Sequence, residues 1–229
     1  MKSPSKILER NLLKTHKNII AVDEVGMGSL AGPVVVCAVM FGRGFFKKPH
    51  RELSGVRDSK SLSPRQRTGL ASKITGQKGI KYQIAYCYPK TIDKKNIYQA
   101  ARLAMRRAVN KLVYNCDFIV SGKKTKSLKT ANYKLKTVIL VDGPFKIPGI
   151  NLEQIPIVKG DRKVFSIACA SIIAKVFRDK MMVNYAKKYP NYGFEEHKGY
   201  GTKRHAAKLA IFGPSKIHRK SFEPVAQLL

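Results

Sequence analysis

The sequence predicts a mixed α/β fold, a β-sheet layered with helices, and three observations carry that expectation. Two apolar, β-rich runs, NIIAVDE (18–24) and TVILVDG (137–143), read as central strands buried on both faces. Strands come first along the chain and then alternate with helical stretches, which suits one sheet covered by helices. The helical stretches are also clearly punctuated, by Ser63-Pro64 at one start and by an apolar stripe that begins near Asp93.

In chain order, MKSPSKILERNLLKTHK reads as a short basic amphipathic helix with Ile7, Leu8 and Leu12 inward. It lacks the apolar core of a secretory signal; an organelle transit peptide is the alternative, and a cytoplasmic location is the expectation. After the strand at 18–24, GPVVVCAVMF (32–41) is a second strand, with glycines before it that suit a tight turn. Ser63 caps a helix whose first turn holds Pro64. IKYQIAYCYP (80–89) alternates as a further strand. From about Asp93, one helix sets Ile97, Ala101, Ala104, Ala108 and Leu112 on a single stripe. The segment 121–136 is lysine-rich without apolar periodicity and reads as an inserted solvated loop, with an extra nucleic-acid contact as the alternative. After the strand at 137–143, residues 164–189 form a long helix, buried in its apolar first half. A shorter helix follows Thr202, and GPSKIHRKSFEPV is an irregular basic tail.

Composition narrows the partners. Lys and Arg total 45 against 14 Asp and Glu, a formal net charge of +31. Such an excess repels itself in a compact chain unless a polyanion is near, so nucleic acid is the leading partner. No stretch is apolar for long enough to span a bilayer, and no membrane partner is expected. Cys37, Cys87, Cys116 and Cys169 form no CxxC pair, which supports neither a zinc site nor a redox motif. Cys37 and Cys169 sit in apolar runs as small buried hydrophobes.

Against that basic background, the acids at strand ends stand out. Asp23 and Asp142 each close a buried strand, and neighbouring strands would bring them together. Carboxylates converging there repel unless cations lie between them. Mg²⁺ or Mn²⁺, hard ions that take oxygen ligands, are the natural occupants, and two such ions can flank a phosphodiester. The same aspartates could equally cap strands or initiate turns. In a regular strand Asp23 and Glu24 point to opposite faces, so both reach one site only if Gly26 and Gly28 let the backbone bulge. The spacing of Gly26, Gly28 and Gly32 is not a dinucleotide-binding fingerprint.

Six ordered stretches carry a resemblance: VDEVGMGSLAGPVV, DSKSLSPRQR, NIYQAARLAMRRAV, VDG, KGDRKVFSIACASIIAKVFRD and HKGYGTKRH…GPSKIHRKSFEPV. Together they resemble bacterial ribonuclease HII, the type 2 ribonuclease H, from about Asn18 to Val225. The resemblance implies a ribonuclease H-like mixed sheet flanked by helices, with a small C-terminal helical region. It divides the chain into an N-terminal basic segment (1–17), a catalytic domain (18–190) and a C-terminal substrate-contact region (191–229). It implies hydrolysis of the RNA strand of RNA·DNA hybrids, and nicking 5′ of single ribonucleotides embedded in duplex DNA. The products are 3′-hydroxyl and 5′-phosphate ends, two divalent ions (Mg²⁺ or Mn²⁺) take part, and a monomer is expected.

Carried over residue by residue, the resemblance makes Asp23, Glu24, Asp142 and Asp161 the metal-binding carboxylates. Asp179 is a rival for the fourth place. Eighteen residues of continuous helix span about 27 Å, so Asp161 and Asp179 could not share one metal pair. Both lines choose Asp161, leaving Asp179 to pair with Arg or Lys. Tyr200, between glycines and near Lys198 and Lys203, suits stacking on a sugar or base; in the family the corresponding tyrosine senses the junction between ribonucleotide and deoxyribonucleotide. Ser59 and Lys60 resemble phosphate contacts ahead of a helix N-terminus. His197, His205 and His218 are candidates for phosphate contact or proton transfer, with no catalytic role assigned. Gly26, Met27 and Gly28 stand where the family usually has Gly-Arg-Gly. The glycines keep a close main-chain approach to substrate, while Met27 removes a guanidinium. Two rival readings remain at this point. One is a basic nucleic-acid-binding protein with weak or altered nuclease specificity because of Met27; the other is a nuclease that prefers long hybrids.

Overall fold

The computed structural model describes residues 3–121 and 136–229, with the backbone alone for 115–121. The lysine-rich insertion expected at 121–136 lies, apart from its ends, outside the described residues, as does the Cys116 side chain.

A helix α1 (Ile7–Thr15) leads into β1 (Asn18–Val25) and β2 (Val34–Gly42). After α2 (Pro64–Thr75) come β3 (Ile80–Cys87), α3 (Pro89–Lys95) and α4 (Ile97–Ser121). Next are β4 (Thr137–Asp142), β5 (Glu153–Ile157), the one-turn α5 (Gly160–Lys163) and the long α6 (Phe165–Lys188). The short α7 (Phe194–His197) and α8 (Lys203–Phe212) complete the α-helices among the described residues. The strands form one sheet in the order β3-β2-β1-β4-β5. β1, β2 and β3 pair antiparallel, and β4 and β5 add in parallel to β1.

Alternation along β1 sorts its side chains between two cores. Ile19 and Ala21 join a cluster with Phe165, Ile167, Ala168, Ile172 and Ile74, so α1, α2 and α6 cover this face. Ile20 and Val22 join the opposite cluster with Ala101, Ala104, Ala108 and Leu112, so α4 covers the other. Small residues on both helices let them lie close to the β-branched sheet surface. Burying each Ile or Val here contributes about 1.5–3 kcal/mol relative to exposure. A third cluster, with Ala31, Met182, Phe194 and Ile217, welds the C-terminal region to α6.

Helix ends follow local chemistry. Ser63 and Gln66 make a reciprocal capping box at the start of α2, with Pro64 in its first turn. Three details depart from expectation. The helix foreseen from Asp93 is broken at Asn96, whose φ of +63° lies in the left-handed region and whose side chain caps Gln99. Strand β5 was not foreseen; at a sheet edge its Pro156 costs no ladder hydrogen bond. In α1, Ile7 faces solvent while Glu9 and Leu13 are buried. Glu9 accepts the Ser166 N–H at 2.8 Å, placing a carboxylate at the start of α6, where the helix dipole favours negative charge. Among the described residues, no helix is long and apolar enough to cross a membrane.

Candidate active site

The parallel ladder between β1 and β4 ends at Val22 opposite Val141. The next residues, Asp23, Glu24 and Asp142, therefore lie at the C-terminal ends of two adjacent central strands, where open α/β sheets place their ligand crevices. Asp161 enters from α5, just before the Val164 break that starts α6. Asp142 Oδ1 accepts the Gly160 N–H at 2.6 Å, tying the two segments together. The expected bulge at Glu24 is absent. β1 stays in unbroken register with β2 through Asp23–Cys37, Glu24–Val36 and Val25–Val35, because the Gly26 turn (φ +92°) comes after the ladder rather than within it. Glu24 meets the cluster from the end of the strand.

These carboxyls act on one another electrostatically. Burial first, then Glu24 and Asp142, hold the Asp23 carboxyl well above the usual carboxylate range. Glu24 is pushed up to about 7 by burial and by Asp142. Asp161 is raised by burial, by Asp142 and by Asp58. Glu24 Oε2 is buried with no hydrogen-bond partner. Among the described residues, no three His, Cys, Asp or Glu side chains already close into a metal cage. An orphaned carboxylate oxygen among acids that raise one another fits a hard divalent cation, the species that removes both penalties.

The neighbouring residues orient this cluster. Ser171 on α6 lowers the Asp23 carboxyl, against the larger effect of burial, and its hydroxyl lies 3.0 Å from that of buried Ser59. The Ser59 side chain is thus turned inward, towards Ser171. Lys60 remains exposed at the surface, and its charge tempers both Glu24 and Asp161. Asp58 accepts the Lys60 N–H and pairs with Arg162 at 3.1 Å. Asp179 pairs with Lys175 at 2.8 Å and with Arg67 at 3.8 Å, as a structural ion pair away from the carboxylates.

The segment 26–33 and the Tyr200 loop are one tied unit. Leu30 and Ala31 donate to the Gly199 carbonyl, and Ser29 bridges Tyr200. The Tyr200 ring has the Lys175 ammonium and the Arg178 guanidinium each 5.3 Å from its centroid. It opens on a groove of about 600 Å³ walled by Pro64, Arg67, Lys175, Asp179 and Lys198. Lys203, at the start of α8, is exposed. Met27 is half-buried against the α4-side core, while Gly28 is exposed and a Cβ there would meet nothing.

Two residues essential to this arrangement escaped sequence reasoning. Arg178 donates to the carbonyls of Pro33 (2.9 Å), Ala31 (3.0 Å) and Lys198 (2.9 Å). Arg219 donates to those of Gly26 (2.6 Å), Met27 (2.8 Å) and Gly32 (3.1 Å). Ala174, Arg178, Met182 and Ala186 recur every four residues on the buried side of α6, so a lone Arg on an apolar stripe was the available signal. Arg219, in an irregular tail, offered none.

The three histidines are buried and form part of the scaffold. The Ser215 N–H donates to His218 Nδ1, which places the His218 proton on Nε2. His218 Nε2 then donates to His205 Nε2 at 3.0 Å, and His205 Nδ1 donates to the Tyr200 carbonyl at 2.9 Å. Burial pushes both down to about 4, consistent with this neutral ladder. His197 stacks on His205 with ring centroids 4.3 Å apart.

The family model described as Ribonuclease HII matches residues 20–225. The Ribonuclease HII of Caldicellulosiruptor saccharolyticus is 44% identical over 216 residues, covering 94% of this chain and 92% of that protein. That of Chloroherpeton thalassium is 44% identical over 211 residues, covering 92% of each. Among solved structures, the ribonuclease H2 from Pyrococcus horikoshii OT3 shares the fold with a TM-score of 0.65 and 24% identity, over 92% of this chain and 96% of that one. With the family model spanning nearly the whole chain, and carboxylates gathered at the ends of its two central parallel strands, this protein belongs to the ribonuclease HII family.

Proposed function

We propose that this protein is a metal-dependent endoribonuclease that cleaves the RNA strand of RNA·DNA hybrids and nicks duplex DNA 5′ of an embedded ribonucleotide. The observation that carries the reading is the gathering of Asp23, Glu24, Asp142 and Asp161, each of the raised carboxyls being disturbed by its neighbours, beside a glycine-bearing loop. These four would hold two divalent ions, Mg²⁺ or Mn²⁺. When bound, such ions lower the pKa of water and neutralise charge on a phosphoryl oxygen.

The chain's own residues supply orientation. The Gly160 N–H holds one oxygen of Asp142 in place. The Glu24 N–H does the same for Asp23 Oδ1 at 2.8 Å. Main-chain N–H groups of Gly26–Gly28 would take the 2′-hydroxyl and adjacent phosphate, and Tyr200 would stack on the sugar or base at the junction. Lys60, Lys198 and Lys203 would contact flanking phosphates, within the general attraction of a +31 chain. Hydrolysis would leave 3′-hydroxyl and 5′-phosphate ends.

The rival of a basic nucleic-acid-binding protein with weak or altered nuclease specificity has no support: all four carboxylates are present in a chain that matches the family nearly end to end. The test uses duplex DNA with one ribonucleotide, a continuous RNA·DNA hybrid and an all-DNA duplex, each with and without Mg²⁺ or Mn²⁺. A metal-dependent nick on the 5′ side of the ribonucleotide is expected. Its absence from both ribonucleotide-containing substrates would sink the reading.

A further inference from the structure

Arg219 is 0% exposed, yet it reaches from the C-terminal tail to bond three carbonyls of the segment 26–33. Two of them, those of Gly26 and Met27, belong to consecutive peptide groups. A trans peptide is planar, with its N–H directed opposite to its C=O. Drawing the Gly26 and Met27 carbonyls inward therefore turns the N–H groups of Met27 and Gly28 the other way. Gly28 is exposed, and nothing from the protein lies where its side chain would be. Arg178 fastens the other end of the segment through Ala31 and Pro33, and holds Lys198 of the Tyr200 loop with the same guanidinium. A methyl on Gly26 would collide with Arg178, so the glycine and the arginine fit only together.

We infer that Arg219 is a positioning residue for substrate recognition. It aims the Met27 and Gly28 N–H groups outward, as a pair of donors for an acceptor oxygen of the nucleic-acid backbone. The inference rests on the proposed reading of 26–28 as part of the substrate site, and it deepens that reading by naming what holds the donors in place. Arg219 touches no reacting atom; it acts through the main chain it grips. It also accounts for tolerance of Met27 in this loop, because the orientation of the donors comes from Arg219 and not from the side chain at 27. Lysine cannot replace it. One ammonium cannot span three carbonyls that a planar fork reaches together.

The test compares wild type, Arg219→Lys and Arg219→Met in the full chain. Leu112→Ala, in the α4-side core, serves as a control for general loss of stability, with each comparison made at equal distance below the unfolding midpoint. Nicking of the one-ribonucleotide duplex is measured as kcat and KM, and binding without divalent ions is measured for that duplex and for an all-DNA duplex. Arg219→Lys is expected to raise KM roughly tenfold, the equivalent of about one charge-assisted hydrogen bond, with kcat within about twofold. Leu112→Ala should leave KM in place. A binding loss confined to the ribonucleotide duplex identifies the 2′-hydroxyl as the acceptor, and an equal loss on both duplexes identifies a phosphate. Unchanged KM and binding in folded Arg219→Lys overturn the inference. Failure of both Arg219 variants to fold also overturns it, because the arginine would then serve stability as a whole. If wild type itself does not nick, the functional reading fails and this inference goes with it; if wild type nicks and the variants match it, only the inference fails.

Discussion

Two regions of this molecule bury charge, and they settle it in opposite ways. At the C-terminal ends of β1 and β4, acids crowd together, raise one another's proton affinity and leave Glu24 Oε2 without a partner. Beneath the neighbouring loop, Arg178 and Arg219 are buried more completely than those acids, and each places its donors on three main-chain carbonyls. The first region is incomplete without something from outside; the second is complete in itself. A buried charge left unsatisfied lowers stability and awaits a ligand, whereas one saturated by the backbone holds a conformation. Acid substitutions should therefore cost activity, and substitutions in the brace should cost folding or placement.

The sharpest way to break that contrast is Asp142→Asn. Cleavage should fall at least about a hundredfold, as when a group that stabilises developing charge is removed. Duplex binding and the metal-free unfolding midpoint should hold or rise, since one repelling charge is gone while the Gly160 N–H keeps its acceptor. Single-turnover nicking and thermal unfolding measure the two halves, and a large drop in midpoint would erase the distinction between the regions. Arg178→Met tests the other side. It strands three carbonyls, and a loss on the order of 3 kcal/mol by denaturant titration is expected.

The histidine ladder sharpens the comparison by pH. Burial lowers His205 and His218 from 6.5 to about 4, so the unfolded chain binds more protons than the folded one between those values. The ladder's contribution to stability should be full above about pH 6.5 and decline as pH falls towards 4, by up to about 1.4 kcal/mol per pH unit for each histidine, while the raised acids of the site contribute in the opposite sense over the same range. Because the ladder ends on the Tyr200 carbonyl, junction preference should weaken over the same range in any fraction still folded. Replacing His218 with Gln should make the stability difference between variant and wild type change with pH over this range, in the variant's favour as pH falls; a pH-independent difference would remove the ladder as a source. The smallest effect is expected from Met27→Arg, which adds an exposed cation to a chain already strongly basic. Binding should tighten by roughly 1 kcal/mol or less and weaken more steeply with salt, while kcat stays in place. Unchanged affinity and selectivity would show that the side chain at 27 contributes nothing beyond its packing.

Much of the fold was legible because its signals are local. The Ser63–Gln66 box, the alanine stripe of α4 and the apolar first half of α6 all lie within a few residues of the features they specify. The acids were noticeable because acids are few and two of them end apolar strands. What was missed lacked a neighbouring cue. Ile97 continues an apolar stripe, so the Asn96 break was invisible to periodicity. Glu9 looks solvent-facing until the start of α6 arrives above it, and Ser59 looks like an exposed loop residue until Ser171 covers it.

By itself, then, the sequence determined the layered α/β class, the central strands, most of the helices and the residue types available for chemistry, since strand and helix periods are written in adjacent side chains. Only the tertiary structure decided that Glu24 meets the acid cluster without a bulge, that Ser59 faces inward, and that two arginines set the course of segment 26–33. The Arg219–Met27 contact joins residues 192 apart. Such a contact depends on where the C-terminal tail docks and on which carbonyls the glycine turn exposes to it, and neither quantity exists in any short stretch of chain.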